Sequence, residues 1–119
     1  MNKGRKTSGA KYHSNRKKRW YEHTTYTNET TLGETKTKVI RVRGGQSKIM
    51  LLKSNTANLT VGKKTEKVEI KNVLQTPQNA FLARQNRLMK GAIIQTSKGK
   101  AKITNRPTRE GVINAILVE

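Results

Sequence analysis

The chain has no cysteine, which excludes a disulfide framework, a thiolate zinc site and a thiol nucleophile, and fits a reducing compartment. Aspartate is also absent: the seven acids are all glutamates, Glu22, Glu29, Glu34, Glu66, Glu69, Glu110 and Glu119. So few and so scattered, they disfavour metal-dependent phosphoryl transfer, which draws on clustered carboxylates to hold Mg²⁺. No metal and no cofactor is expected. Aromatic residues make up only 4% of the chain, which leaves a small core with few large rings. The longest apolar run is Ile49-Met50-Leu51-Leu52, far short of the roughly 18 residues of a membrane span, and no apolar signal segment follows the basic N-terminus. The expectation is a cytoplasmic protein without a membrane partner, in which the sequons Asn28-Glu29-Thr30 and Asn58-Leu59-Thr60 carry no glycosylation meaning.

What the chain has in excess is positive charge. Its 26 Lys and Arg residues against 7 acids leave a net +19 on 119 residues, enough length for one domain with a modest core. A surface so charged repels itself unless a polyanion neutralises it, so nucleic acid is the expected partner. The charge is concentrated at the start. Residues 1–19 hold Lys3, Arg5, Lys6, Lys11, Arg16, Lys17, Lys18 and Arg19 with no acid and Met1 as the only large aliphatic. Such a segment cannot offset the roughly 1–2 kcal/mol per residue of backbone entropy that ordering costs, and is expected to be disordered without RNA. Residues 20–37 are polar and Thr-rich and read as a linker, which places the folded domain at 38–119.

Within that domain the pattern is that of short strands. Val39-Ile40-Arg41-Val42-Arg43 alternates, directing Ile40 and Val42 to a core and both arginines outward, before Gly44-Gly45 breaks the strand. Ile49 to Leu52 has the length of a buried strand. Ala57, Leu59 and Val61, then Val68 and Ile70, alternate on either side of Gly62-Lys63-Lys64 and form a hairpin. A second hairpin runs from Ala92 through Ser97-Lys98-Gly99 to Thr104, and Val112 to Val118, apolar on both parities, reads as a central strand. Thr76-Pro77 predicts the N-cap and first position of a single short helix ending by Lys90-Gly91. The fold class is therefore mainly β: a small barrel-like body of about six or more short antiparallel strands with one short helix, plus an extended basic tail.

The candidate contacts follow from placement. Each tail cation seated on a phosphate releases counterions and adds affinity without reading sequence. Trp20 and Tyr21, just after the basic run, either stack on exposed bases or anchor the tail to the domain. Arg41, Arg43 and Lys48 flank Gly44-Gly45, where absent side chains allow close approach of a phosphate. Arg84, Arg87 and Lys90, spaced three apart, would make one helix face basic. Arg106 before Pro107 either contacts RNA or caps carbonyls in its turn. His13 and His23 could be imagined as the acid and base of a small basic ribonuclease, but they lie in or beside the segment least able to position them. A DNA-architectural protein is the remaining rival; it would typically dimerise and insert apolar wedges, and no wedge or dimer seam is legible, so no obligate homo-oligomer is expected.

The strings Lys6-Thr7-Ser8-Gly9-Ala10, Arg41-Val42-Arg43-Gly44-Gly45, Lys90-Gly91-Ala92-Ile93-Ile94-Gln95-Thr96, Gly99-Lys100-Ala101-Lys102-Ile103-Thr104-Asn105-Arg106-Pro107 and Glu110-Gly111-Val112-Ile113-Asn114-Ala115-Ile116-Leu117-Val118-Glu119 carry a resemblance over nearly the whole chain. It resembles the family of small-subunit ribosomal protein eight of the archaeal and eukaryotic type, in its short archaeal form. The resemblance implies a non-catalytic ribosomal protein with a barrel-like body and a basic extension, whose partners are small-subunit rRNA and neighbouring ribosomal proteins. It carries RNA contacts onto Arg5, Lys6, Ser8, Gly9, Arg16, Lys17, Arg41, Arg43, Gly44 and Arg106. After Tyr21-Glu22 the chain departs from the family's usual Leu-Gly-Arg with His23-Thr24-Thr25, losing an arginine and a turn glycine.

Amide hydrogen exchange on the free protein is expected to show fast exchange from Lys3 to Arg19 and slow exchange beyond about Lys38. Strong protection in the first 19 residues would show that the tail has structure of its own.

Overall fold

Alternating apolar positions after Ser54 are what close the body into a barrel. The computed structural model describes residues 4–13, 16–23 and 28–118. Its strands are β1 (Thr31–Leu32), β2 (Lys36–Arg41), β3 (Ser47–Ser54), β4 (Thr56–Val61), β5 (Lys64–Gln75), β6 (Ile93–Thr96), β7 (Gly99–Ile103) and β8 (Asn114–Leu117). Two short helices interrupt them, α1 (Ala80–Arg84) and α2 (Pro107–Glu110). Strands β4-β5-β6-β7-β8 form a closed barrel, and β1-β3-β2 form a second sheet.

Both expected hairpins are present: β4 turns into β5 with Val61 opposite Lys64, and β6 into β7 with Thr96 opposite Gly99. Closure comes from β8, which pairs antiparallel with β7 and parallel with β4, setting Leu59 beside Ala115. That pairing is parallel, as is β1 with β3, so the sheets are mixed rather than wholly antiparallel. Strand β5 serves two neighbours, β4 along its first half and β6 along its second, and register shifts after Ile70 and Val73 bend it between them. The barrel interior is narrow and is filled by large residues beside small ones: Ile94 faces Ala101, Ile103 faces Ala115, and all four are essentially fully buried with Leu59. Strand β8 lies between two neighbours, yet only Ala115 of it is buried, because its second face looks outward.

The second sheet meets the core only at its root. Leu51 is buried and Leu32 packs against the core cluster. Farther out, the cross-strand pair Val39 and Ile49 is 65% and 54% exposed, and Ile40 and Val42 are half-buried rather than core. The run Ile49 to Leu52 therefore contributes one buried side chain, not four. The physical reason is that the β2–β3 hairpin projects beyond the barrel, where the turn after α2 touches it at Ile49 without covering it. β structure begins at Thr31, inside the stretch read as linker, because Thr30 is drawn into the body: its hydroxyl donates to Leu51 O at 2.9 Å and its carbonyl accepts from Leu88 N at 2.8 Å.

Helix α1 is shorter than the sequence predicts. Asn79, not Thr76, is its N-cap, with Oδ1 accepting Phe81 N at 2.9 Å, and Asn86 at φ 52° has already left the helix. Thr76 is instead buried after β5. Helix α2, which the sequence pattern does not anticipate, starts on Pro107 and ends at Gly111, whose φ of 77° disfavours any side chain. A Cβ at Gly111 would also sit 3.3 Å from Ile49 Cγ2, so this turn packs directly against the projecting hairpin.

Leu59→Ala is expected to cost about 2–5 kcal/mol in denaturant melts, whereas Val39→Ala on the hairpin should stay within about 0.5 kcal/mol. Equal losses at both positions would show that the hairpin shares the barrel core.

Candidate nucleic-acid interface

Among the described tail residues the only order is two short, exposed turns made from their own residues, too small to slow exchange by themselves. Arg5 bridges antiparallel to Lys11, Lys6 N donates to Ala10 O, and Gly9 N donates to Lys6 O, both at 2.9 Å. This is a three-residue loop with Gly9 at φ 80° in its last position. The Arg5 guanidinium closes it by donating to Gly9 O at 2.8 Å, and the Lys6 ammonium lies 5.7 Å from the Tyr12 ring centre. The turn leaves Ser8 and Lys11 exposed.

A second local structure is built around Glu22. Arg16 grips its carboxylate with both terminal nitrogens, at 2.7 and 2.6 Å, and Arg19 N donates to the same group at 3.0 Å. The result is a single helical turn over Trp20–Glu22. The Arg16 guanidinium first, and the Arg19 N–H second, hold the Glu22 carboxyl below its ordinary 4.5, while Arg16 is raised in return. Trp20, 91% exposed, projects from this turn beside an exposed Tyr21 and does not anchor the tail to the body. Lys17, Lys18 and Arg19 are exposed around it, Arg19 donating to the Tyr21 hydroxyl at 3.2 Å. Among the described residues, no hydrogen bond or ion pair joins 4–23 to 28–118. Lys3 lies outside the described residues, as do Thr24 and Thr25.

On the body, the tip of the β2–β3 hairpin repeats the tail's loop geometry. Val42 N donates to Gln46 O at 2.8 Å across Arg43, Gly44 and Gly45, and both glycines sit at φ 80°. No Cβ neighbour crowds either glycine, so their requirement is conformational and the loop is open to a ligand. Arg41, Arg43 and Lys48 are exposed around the tip.

The remaining candidates do not form the expected basic helix face. Arg84 ends α1 and lies 5.5 Å from the Phe81 ring centre, while Arg87 and Lys90 fall beyond the helix because Asn86 turns the chain away. Arg87 forms an ion pair with Glu29. Lys90 and Arg106, distant in sequence, instead meet at a cavity of about 670 Å³ between the β2–β3 hairpin and the barrel, with Arg109 as a third cation. The apolar part of its wall includes Ile40, Met50, Leu88, Met89 and Pro107. Arg106 caps no carbonyl with its side chain; the turn is held from the other direction, by Glu110 accepting Arg106 N at 3.1 Å and the Asn105 amide at 3.0 Å. Those two donors, with smaller pulls from Lys90 and Lys48, keep the Glu110 carboxyl below its ordinary value. Arg109, Met89 and Ile40 are the residues that sequence reasoning missed here. No local spacing marks them, since the cavity is made by tertiary packing.

His13 and His23 are exposed, with no side-chain hydrogen bond among the described residues, and no group of three or more potential metal ligands exists among those residues. Among them, no helix is long and apolar enough to cross a membrane.

Comparison with known proteins gives one consistent answer. The family model described as "Ribosomal protein S8e" matches residues 1–118. Curated relatives named small ribosomal subunit protein eS8 include that of Methanocorpusculum labreanum, 42% identical over 117 residues and covering 97% of this chain and 94% of the relative. Those of Haloarcula marismortui and Methanococcus aeolicus are 39% and 44% identical, covering 97% and 96% of this chain and 94% and 91% of the relatives.

The lowered Glu22 carboxyl gives the tail's aromatic turn a pH dependence. A carboxyl depressed by folding contributes order that is complete above its ordinary value and is lost as pH falls through the depressed one. NMR titration should find Glu22 below 4.5, with Trp20 and Tyr21 amide shifts moving at the same midpoint. Arg16→Gln should return Glu22 toward its ordinary value; a Glu22 midpoint indifferent to Arg16 would break the link.

Proposed function

Since the chain belongs to the ribosomal protein S8e family, a structural ribosomal family and not an enzyme, we propose that it holds small-subunit rRNA through two separate basic surfaces. One is the tail; the other is the hairpin tip and the cavity rim of the body. The protein is a structural constituent of the small ribosomal subunit, and its partners there are rRNA and neighbouring ribosomal proteins.

The observation that supports the two-surface reading is where the acids are spent. Among the described residues the ion pairs are Arg16 with Glu22, Arg87 with Glu29 and Lys98 with Glu66, each between groups that fix local shape. Arg5, Lys6, Lys11, Lys17, Lys18 and Arg19 in the tail, and Arg41, Arg43, Lys48, Lys90 and Arg106 on the body, form no ion pair among the described residues. Exposed cations in such excess are stabilised by phosphates, whose condensed counterions they release. The tail supplies charge on a chain that packs on nothing else, and Trp20 beside it offers a face for a base. The body supplies cations on paired strands and closed turns, which place them more narrowly than the tail does and set register rather than bulk affinity.

Deleting residues 1–19 should weaken binding to small-subunit rRNA and flatten its salt dependence, by up to about 0.7–0.9 in log–log slope for each phosphate no longer engaged, with the melting of the body unchanged. Arg41→Gln should free one phosphate and also leave melting unchanged. An unchanged salt slope in the truncated protein, or a collapsed melting transition, would overturn this division of labour.

A further inference from the structure

We propose that the cavity between the β2–β3 hairpin and the barrel receives one extruded RNA nucleotide, base inside and phosphate on the rim, and favours a base carrying an exocyclic amino group. This deepens the rRNA-binding reading above and rests on it.

The cavity's size, about 670 Å³, falls in the range of roughly 300–1,000 Å³ that small-ligand sites occupy. Its inner wall suits the flat face of a base: Ile40, Leu88 and Pro107 are apolar, and Met50 and Met89 bring polarisable sulfurs that pack well on aromatic rings. The rim carries Lys90, Arg106 and Arg109 against a single acid, Glu29, which Arg87 already engages. Glu110, hydrogen-bonded to Arg106 N, lies close by, and a phosphate outside the mouth still meets a net excess of positive charge.

The hydrogen-bonding capacity inside points to particular bases. The Thr30 hydroxyl spends its one proton on Leu51 O at 2.9 Å, so in its 3.0 Å contact with Thr108 it must accept. Thr108 is thus the donor there, and what its oxygen has left for a ligand is lone pairs. Gln78 donates one of its two amide N–H groups to Lys90 O at 2.8 Å, and its carbonyl oxygen is left as a second acceptor. Both residues line the cavity. The exocyclic amino group of adenine, cytosine or guanine carries two N–H donors and can serve both acceptors, whereas uracil offers a single N3–H. An aliphatic side chain from a neighbouring protein would leave both acceptors without a donor and the rim without an anion, which is why a nucleotide is the better occupant.

The test uses the full chain and three RNA pentamers: uridine throughout, uridine with one central adenosine, and uridine with one central abasic position. Affinity and the methyl NMR signals of Ile40, Met50 and Met89 are read together. The adenosine pentamer should bind about two- to tenfold tighter than all-uridine, and the abasic pentamer at least about fivefold more weakly than the adenosine one, with the three methyl groups moving most on the adenosine pentamer. Met89→Trp, which fills the cavity, should erase the adenosine preference while leaving the salt slope intact. If that variant melts early, Arg106→Gln, on an exposed side chain, should weaken the base-bearing pentamers while keeping their ratio. Equal binding of all three pentamers with a normal salt slope overturns the cavity proposal and leaves RNA binding standing; no binding to any pentamer overturns both. Methyl shifts with an acidic leucine-bearing peptide but not with RNA would make the cavity a protein socket, and saturation by micromolar AMP without a response to the pentamers would make it a site for free nucleotide. Either result overturns the proposal.

Discussion

The parallel pairing of β4 with β8 is the constraint on which the body depends. It joins strands at opposite ends of the domain, with Asn58 opposite Asn114, and that pair is reinforced by an amide-to-carbonyl hydrogen bond at 3.2 Å between the two side chains. Once the ring is closed at five strands its interior has room for few large side chains, so alanines must stand beside isoleucines and leucine. Everything that does not fit inside is pushed out. The two helices are a turn or so long, and the remaining apolar residues form a hairpin with only its root in the core.

Charge imposes a second order on this frame. With so few glutamates, three of them act as local staples more than as neutralising charge. Glu22 gathers Arg16 and Arg19 N into one turn, Glu29 holds Arg87 where the chain enters the body, and Glu110 stitches the α2 turn through Asn105 and Arg106 N. These contacts are exposed and contribute modestly to stability. Their effect is on direction: they decide which cations remain at liberty and which way the exposed aromatic rings point.

The two hairpins are legible in the sequence because their signals are local, a period of two on either side of Gly62-Lys63 and of Ser97-Lys98. The family resemblance is legible for the same reason, as ordered strings. Closure between β4 and β8 carries no local mark, nor does the cavity, whose walls come from residues as far apart as Asn28 and Arg109. Periodicity overextends the helix because Arg84, Arg87 and Lys90 match a helical spacing, whereas Asn86 adopts a left-handed conformation that spacing does not reveal. Ile40 and Val42 alternate as core residues do, but burial depends on a second layer packed against them, and Ile40 faces an open cavity instead.

A hairpin clamped only at its root is a cantilever. Leu51 and the contact of Ile49 with Gly111 fix the inner end, while Arg43-Gly44-Gly45 at the outer end is unsupported. Met50 lies between those two fixed points, so the cavity wall it forms belongs to the anchored end. What swings free is the stretch beyond Arg41 and Ser47, and with it the charge of Arg43.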